Sequence, residues 1–326
     1  YQFIAGLEGS FNDIDWDAFI NQGYRSRQDV DLGQFSGARL FNALGPSADM
    51  NGDGIPECYT DITNPNTMIA GCVPLNMFGG GSVVRETGET VAATLTQDMI
   101  DYVSVDLVDH FSTKQSLAGG TVSGSLWDLP GGALGWAAGY SYWKQEYKYT
   151  PDSGKQSGAV TGNVGAGTDG SLVNNAVFAE VLAPVYDNGT QEVVLKGGLR
   201  YDDYDAFDGD TTYQLGVEFQ AIENLKLRGT YGTVFRAPTI SELFGGVVDS
   251  FPTAVDPCAQ GDPLPPGCTG PGDQPDSQIR SAVGGNPNLI PETGDTLTAG
   301  VVWTPTFGDH GITATLDYWE IDLEDG

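Results

Sequence analysis

Basic residues are scarce in this chain of 326 residues: 14 lysines and arginines stand against 44 aspartates and glutamates, a formal net charge of −30. Nucleic acid is therefore excluded as a natural partner, because phosphate binding needs a basic face. Histidine is scarcer still. Only His110 and His310 exist, far apart in sequence, which leaves a His-based catalytic triad little to stand on. No apolar run reaches the roughly 18 residues of a membrane-spanning helix. GxSxG, HExxH and phosphate-loop patterns are all missing, so the sequence reads as a non-enzyme. A leader sequence is missing too. Residue 1 already stands inside a patterned segment, so the expected N-terminus lies upstream and the chain reads as a fragment or processed product.

What the chain has in abundance is glycine, 46 residues, and aromatic side chains, 10%. With that aromatic content, the acidity is not that of a disordered tail. Much of the chain alternates apolar and polar residues with period two, as half-buried strands do. Phe3, Ala5, Leu7 and Phe11 make one such face, and Leu134, Trp136, Ala138, Tyr140 and Tyr142 another. Val193 to Tyr201, Tyr213 to Phe219, Leu225 to Arg236 and Leu297 to Trp303 repeat the pattern. About ten strands of 9–14 residues are expected, longer than the five or six residues usual in soluble proteins.

The connections fall into two kinds that alternate. Short turns are expected at 12–15, 128–132, 187–190, 223–224 and 308–311. Other connections, mostly longer, span 29–102, 151–171, 206–210 and 236–292. In an up-and-down sheet this places every short turn at one end. Compact soluble domains rarely carry unstructured loops of more than about 15 residues, whereas outer-membrane barrels pair short turns with long outer loops. Trp127, Trp136, Trp303 and Phe307 lie beside short turns, where a girdle at the membrane interface would put them.

Within the first long loop, Asp49-Met50-Asn51-Gly52-Asp53-Gly54-Ile55-Pro56-Glu57 places side-chain oxygens at positions one, three and five. The Ile55 carbonyl follows, and Glu57 stands at position nine. That is the opening of an EF-hand-like loop, but position twelve is Thr60 rather than a bidentate glutamate, so the expectation is weak calcium binding. The cysteines pair off by proximity: Cys58 with Cys72, Cys258 with Cys268, each couple among Gly, Pro, Asp and Asn. Two local disulfides in an oxidising compartment fit these better than zinc, since CxxC spacing is missing. Thr96 is placed to cap a short helix over 97–103. Tyr59, Phe78, Phe244 and Phe251 are loop aromatics, expected mainly to pack within their loops. Arg200, Arg228 and Arg236 stand on the polar face, as contacts for a plug or ligand, or as charges balancing Asp202 and Glu218.

Three segments carry a family resemblance. Phe235-Arg236-Ala237-Pro238-Thr239-Ile240-Ser241-Glu242-Leu243 resembles the F-R-A-P-x-x-x-E-L run of TonB-dependent outer-membrane receptors, and Asn286 to Glu292 resembles their N-P-x-L-x-P-E. Leu199-Arg200-Tyr201-Asp202-Asp203-Tyr204 looks like their LRYxxY strand, and Thr315 to Gly326 follows in order. Gly71 to Gly79 is similar to loops of larger members. The resemblance is firm over 190–326 and rests on pattern alone over 1–190. It implies an all-β fold: a partial antiparallel up-and-down transmembrane β-barrel, about ten of some 22 strands, with long extracellular loops at 29–102 and 236–292. It further implies a receptor of the Gram-negative outer membrane that imports a ferric siderophore, vitamin or glycan by energised plug rearrangement. The partners would be outer-membrane lipid and the TonB-ExbB-ExbD complex, reached through an N-terminal plug and TonB box expected outside this chain. A secreted calcium-binding adhesin or glycan-binding module, and a passive porin-type channel, are the alternatives.

Overall fold

The computed structural model describes residues 1–77, 82–83, 90–91, 95–256, 258, 266–268, 277–308 and 310–324. Its frame is one sheet of ten antiparallel strands in which every strand pairs with its neighbours in sequence along the wall. In chain order these are β1 (Gln2–Phe11), β2 (Ile14–Phe35), β3 (Ser104–Leu129), β4 (Gly132–Thr150), β5 (Thr168–Asp187), β6 (Glu192–Tyr204), β7 (Asp210–Ile222), β8 (Leu225–Arg236), β9 (Glu292–Trp303) and β10 (Ala314–Glu324). The sheet is open: β1 and β10 are its two edges.

The register brings the alternating residues of all ten strands onto common faces. Leu7 pairs with Ala18, Ala18 with Gly120, Gly120 with Tyr140, Tyr140 with Val177 and Val177 with Tyr201. On the second half, Ala183, Leu195, Val217, Gly229, Ala299 and Tyr318 form one continuous row. Leu7, Tyr140, Val177, Leu195, Leu199, Leu215, Val217 and Tyr318 on this face are exposed. Among the described residues no second sheet covers it, since the remaining sheets are two-stranded loop hairpins. An uncovered apolar face of this extent needs a lipid or protein cover. The opposite face holds the charges, as in the row Glu218, Arg228, Gly300 and Asp317.

Short turns join β1 to β2, β3 to β4, β5 to β6 and β7 to β8, and a connection with a small hairpin (306–307 with 310–311) joins β9 to β10. Asn12 takes the left-handed conformation (φ 53°) that the tight turn requires. In the next-but-one turn, Asp187 accepts from the Gly189 N–H at 2.6 Å and Asn188 Oδ1 from those of Thr190 and Gln191, with Gly189 at φ 83°. Asp309, in the last expected turn, lies outside the described residues. The other connections, 36–103, 151–167, 205–209 and 237–291, all stand at the opposite end of the sheet.

Two expectations change. Residues 29–35, assigned above to the first loop, are strand: Asp29 pairs with Asp109 and Val30 with Val108. β2 to β5 run for 22, 26, 19 and 20 residues, well past the 9–14 expected and the roughly 9–11 a tilted strand needs to cross a bilayer. Apolar alternation stops where both faces meet water, but backbone pairing continues. The shorter strands β6 to β10, at 13, 13, 12, 12 and 11 residues, match the expected lengths. Similarly, β5 starts at Thr168 rather than after 171.

Candidate ligand-binding end of the wall

The long connections fold into a layer above the sheet, built from short helices, backbone pairing and disulfides. α1 (Gly37–Ala43) starts at Ser36, whose hydroxyl caps it. α2 (Gln97–Val103) is the expected helix, with Thr96 accepting from the Met99 N–H. α3 (Ser153–Ser157) is capped by Asp152, and α4 (Ile240–Phe244) by Thr239, whose partner Glu242 completes a capping box. α4 begins right after the Arg236–Pro238 step, where β8 ends as expected because proline cannot donate to the ladder.

One segment ties three loops together. The Gly37 N–H donates to Ala159 O and the Thr161 N–H to Phe35 O. Farther along, the Ala166 N–H donates to Val247 O and the Asp249 N–H to Val164 O. Val248 to Ser250 in turn pair with Ser281 to Val283. Residues 159–167 thus form a strap between the first and last long loops. Beneath the strap, buried Asp109 on β3 accepts from the Asp152 N–H at 2.9 Å, the Lys155 ammonium at 2.8 Å and the Tyr149 hydroxyl at 3.3 Å. Lys155 also pairs with Asp31 at 2.9 Å. Its hydrogen bond to Asp109 comes first among the causes that hold its ammonium well above the ordinary lysine range. Asp152 is held below the usual aspartate range, chiefly by the backbone N–H of Val108 and then by that of Gly154.

Both expected disulfides are present. Cys58 joins Cys72, with Cα atoms 5.9 Å apart, and Cys258 joins Cys268, at 5.6 Å. Cys58 and Tyr59 are buried inside their loop, so Tyr59 serves packing. Phe244 packs on the core cluster under α4, Phe251 is exposed, and Phe78 lies outside the described residues.

The acidic loop is folded on itself. Asp49 Oδ1 accepts from the N–H groups of Gly52 at 2.6 Å and Asp53 at 3.1 Å, and Oδ2 from that of Gly54 at 2.8 Å. Asp53 accepts from the Ile55 N–H at 2.8 Å. Asn51 Nδ2 donates to Asp53 at 3.0 Å and Glu57 at 2.8 Å, filling the space between those carboxylates. Among the described residues, no group of three or more His, Cys, Asp or Glu side chains is gathered as a metal site would need.

All three arginines singled out in the sequence are ion-paired, but the structure does not bring them together as one site. Arg200 grips Asp202 through two nitrogens at 2.7 and 2.8 Å. Arg228 reaches across Gly300 to Asp317 at 2.8 Å. A Cβ at Gly300 would collide with that carboxylate, so glycine is what leaves room for the pair. Arg236 is held between Glu242 and Glu292. Asp202 thus takes the expected arginine, whereas Glu218 is balanced by Lys196 and Lys226, its diagonal neighbours on the adjacent strands, because Arg228 directly opposite turns to Asp317.

An aromatic chamber on the inner face is not legible in the sequence alone. α4 packs against β5 at Gly170, where a side chain would run into Phe244 and Ile240. Leu172, Ile240 and Leu243 are buried there, with Trp143, Tyr147, Tyr204 and Phe207 packed around them. A cavity of about 310 Å³ remains, lined by Trp143, Gln145, Tyr147, Leu172, Tyr204 and the turn 237–241. Trp143, Gln145 and Tyr147 share a strand face by period two, but only the register brings Tyr204 to them.

Comparison with known proteins agrees with this architecture. The family model described as TonB dependent receptor-like, beta-barrel, matches residues 2–326. The vitamin B12 transporter BtuB of Vibrio vulnificus is 36% identical over 52 residues, 16% of this chain and 9% of that protein. Among solved structures, the siderophore receptor PirA of Acinetobacter baumannii superposes with a TM-score of 0.51 at 14% identity, covering 100% of this chain and 34% of that one. A variant of the ferric enterobactin receptor PfeA of Pseudomonas aeruginosa gives 0.55 at 15%, covering 99% and 34%. These two likenesses establish the fold, and the chain spans about a third of each. The sheet, its alternating faces and the match along its whole length make this chain a member of the TonB-dependent receptor β-barrel family.

Proposed function

We propose that this chain is part of an outer-membrane receptor that captures a scarce small molecule at its long-loop end and imports it with energy delivered through TonB. The observation that carries this is the pairing of an uncovered apolar outer face with a charged inner face, all long connections standing at one end. In lipid the outer face is satisfied, and the inner face borders a lumen. The long loops then face the cell exterior, where the disulfides fit an oxidising medium. A plug domain would meet the inner wall near the ion pairs of Arg200 and Arg228, and TonB with ExbB and ExbD would move that plug. The family consists of transporters and receptors rather than enzymes, and the inner wall offers binding surface rather than a nucleophile and base. Siderophores and vitamin B12, handled by the relatives named above, set the range of substrates to test first.

The acidic loop suits weak calcium binding. An amide flip of Asn51, at the cost of the hydrogen bond its Oδ1 accepts from the Asp53 N–H at 3.0 Å, would turn its oxygen toward Asp53 and Glu57, and a cation would replace the donated hydrogens. Calorimetry on the full-length receptor should show heat at calcium concentrations of about 0.1–1 mM; none up to several millimolar would remove calcium from the account.

The transport proposal is tested by uptake. Supplied to cells lacking their own receptor, the full-length protein should support growth on a limiting nutrient only when TonB is present. Equal growth without TonB would replace this reading by the passive channel.

A further inference from the structure

Building on that proposed import function, we infer that the chamber beneath α4 binds an uncharged, polyhydroxylated ring, such as one sugar unit of a glycan. Its walls carry polar groups that the protein leaves unused. Among the described residues, the Trp143 indole N–H, the Gln145 amide and the Tyr147 and Tyr204 hydroxyls have no protein hydrogen-bond partner, although all four side chains are half-buried. A partly buried polar group without a partner is satisfied by water or by a ligand. The amide and the hydroxyls each both donate and accept. That matches a ring bearing hydroxyls, which does the same, better than an anion, which only accepts. The aromatic faces of Trp143, Tyr147 and Tyr204 supply flat apolar surface for the C–H face of such a ring.

Charge points the same way. The cations next to chamber residues in the chain are already paired: Lys144 with Glu146, Arg236 with Glu242 and Glu292; Arg200, on the strand that carries Tyr204, is paired with Asp202. Asp202 is itself only 3% exposed, and separating a buried acid from its partner leaves an uncompensated charge. Among the described residues, Arg25 is the one lysine or arginine without a hydrogen-bond or ion-pair partner, and it stands on β2, outside the residues that line the chamber. A multiply charged iron chelate would have to break one of these pairs or sit against an uncharged wall with no cation to meet it. The size also decides. At about 310 Å³ the chamber is at the small end of ligand pockets, with room for one ring of a longer ligand but not for a whole corrinoid or tris-chelate.

The test is calorimetry on the detergent-solubilised full-length receptor with three kinds of probe: neutral oligosaccharides (maltohexaose, cellohexaose, laminarihexaose and xylohexaose), ferric enterobactin and cyanocobalamin. At least one oligosaccharide is expected to bind, with little dependence on salt. Trp143→Ala should weaken that binding about tenfold, while Trp143→Phe, which keeps a ring, retains most of it. Tyr204→Phe, which removes only a hydroxyl, and Gln145→Met, which replaces the amide by an apolar side chain of similar length, should each weaken it about threefold and guard against a folding defect in Trp143→Ala. Failure of all four oligosaccharides overturns the inference, as does binding of ferric enterobactin or cyanocobalamin that is lost in Trp143→Ala. In either case TonB-dependent uptake would still stand or fall by its own assay.

Discussion

The wall and the loop layer above it are held together differently. In the wall, each residue's place follows from its neighbours by period two, and the cross-strand register repeats without interruption from β6 to β9 apart from single irregularities. In the loop layer, order comes from staples: two disulfides, four capped helices, a strap of backbone hydrogen bonds and the Lys155 cluster. The wall's stability is spread over many equivalent contacts and depends on its surroundings. That of the loops is concentrated at a few points and depends on the chain itself. Damage to the wall should therefore be severe and sensitive to lipid, and damage to the loops local.

The largest contrast is expected between two adjacent positions of β7. Leu215→Arg puts a charge on the outer face near the strand's middle and should cost about 2–4 kcal/mol in a bilayer. Gln214→Arg, on the inner face, should cost well under half of that. Denaturant unfolding of the full-length receptor in vesicles gives both values, and equal costs would erase the distinction between the faces.

Removing one staple comes next. The double substitution Cys58→Ser, Cys72→Ser should destabilise its loop by about 3 kcal/mol in the chain-entropy model. Hydrogen exchange should then speed up across 46–77 while β6 to β9 remain protected. Exchange rising throughout the wall would show that the two regions are not separable.

Gly300→Val is intermediate, since it concerns a wall position that behaves like a staple. The new side chain enters the space of the Arg228–Asp317 pair and should cost about 1–2 kcal/mol by overpacking. Substituting Asp317→Asn in the same background should add little further loss, because the pair is already broken. Full additivity in that double-mutant cycle would deny the coupling.

The smallest effect is one of pH. Asp152 titrates below the usual aspartate range, first because of the Val108 N–H. The folded loop therefore binds that proton less readily than the unfolded one. Its contribution is complete above the ordinary aspartate range and is lost as pH falls through the depressed native value. Lys155 works at the other end: its raised value gives a contribution that is complete below the ordinary lysine range and lost only at strongly alkaline pH. Exchange of the 151–167 amides, corrected for intrinsic rates, should be flat from mildly acidic to mildly alkaline pH and rise on the acid side. A rise around neutrality would assign the strap to other groups.

The same contrast explains what was legible in the sequence. Strand number, the tight turns and the alternating faces are local properties, written in residues one or two apart. α2 was legible for the same reason, because Thr96 and the Met99 N–H it caps are three residues apart. So was the end of β8 before Pro238. The overrun of β2 through Phe35 was not, because polar residues on both faces look like loop once the strand leaves the lipid zone. Nor were the partners of Glu218, or the meeting of Trp143 with Tyr204 and α4, which depend on register and on a helix that follows β8. In the acidic loop the oxygens stand at the expected spacing, yet Asn51 points its amide hydrogens where a cation would sit.

In a barrel wall the period-two pattern separates lipid from lumen. Among the described residues, no cysteine is free, so single cysteines introduced along β7 from Thr212 to Phe219 can carry spin labels in the full-length receptor in bilayers. Accessibility to oxygen and to a water-soluble nickel chelate measures the two environments directly. Oxygen should be favoured at positions 213, 215, 217 and 219 and the chelate at 212, 214, 216 and 218, with the two profiles out of phase along the strand. Chelate access at every position, without alternation, would contradict the barrel-wall account and return the sheet to a water-exposed setting.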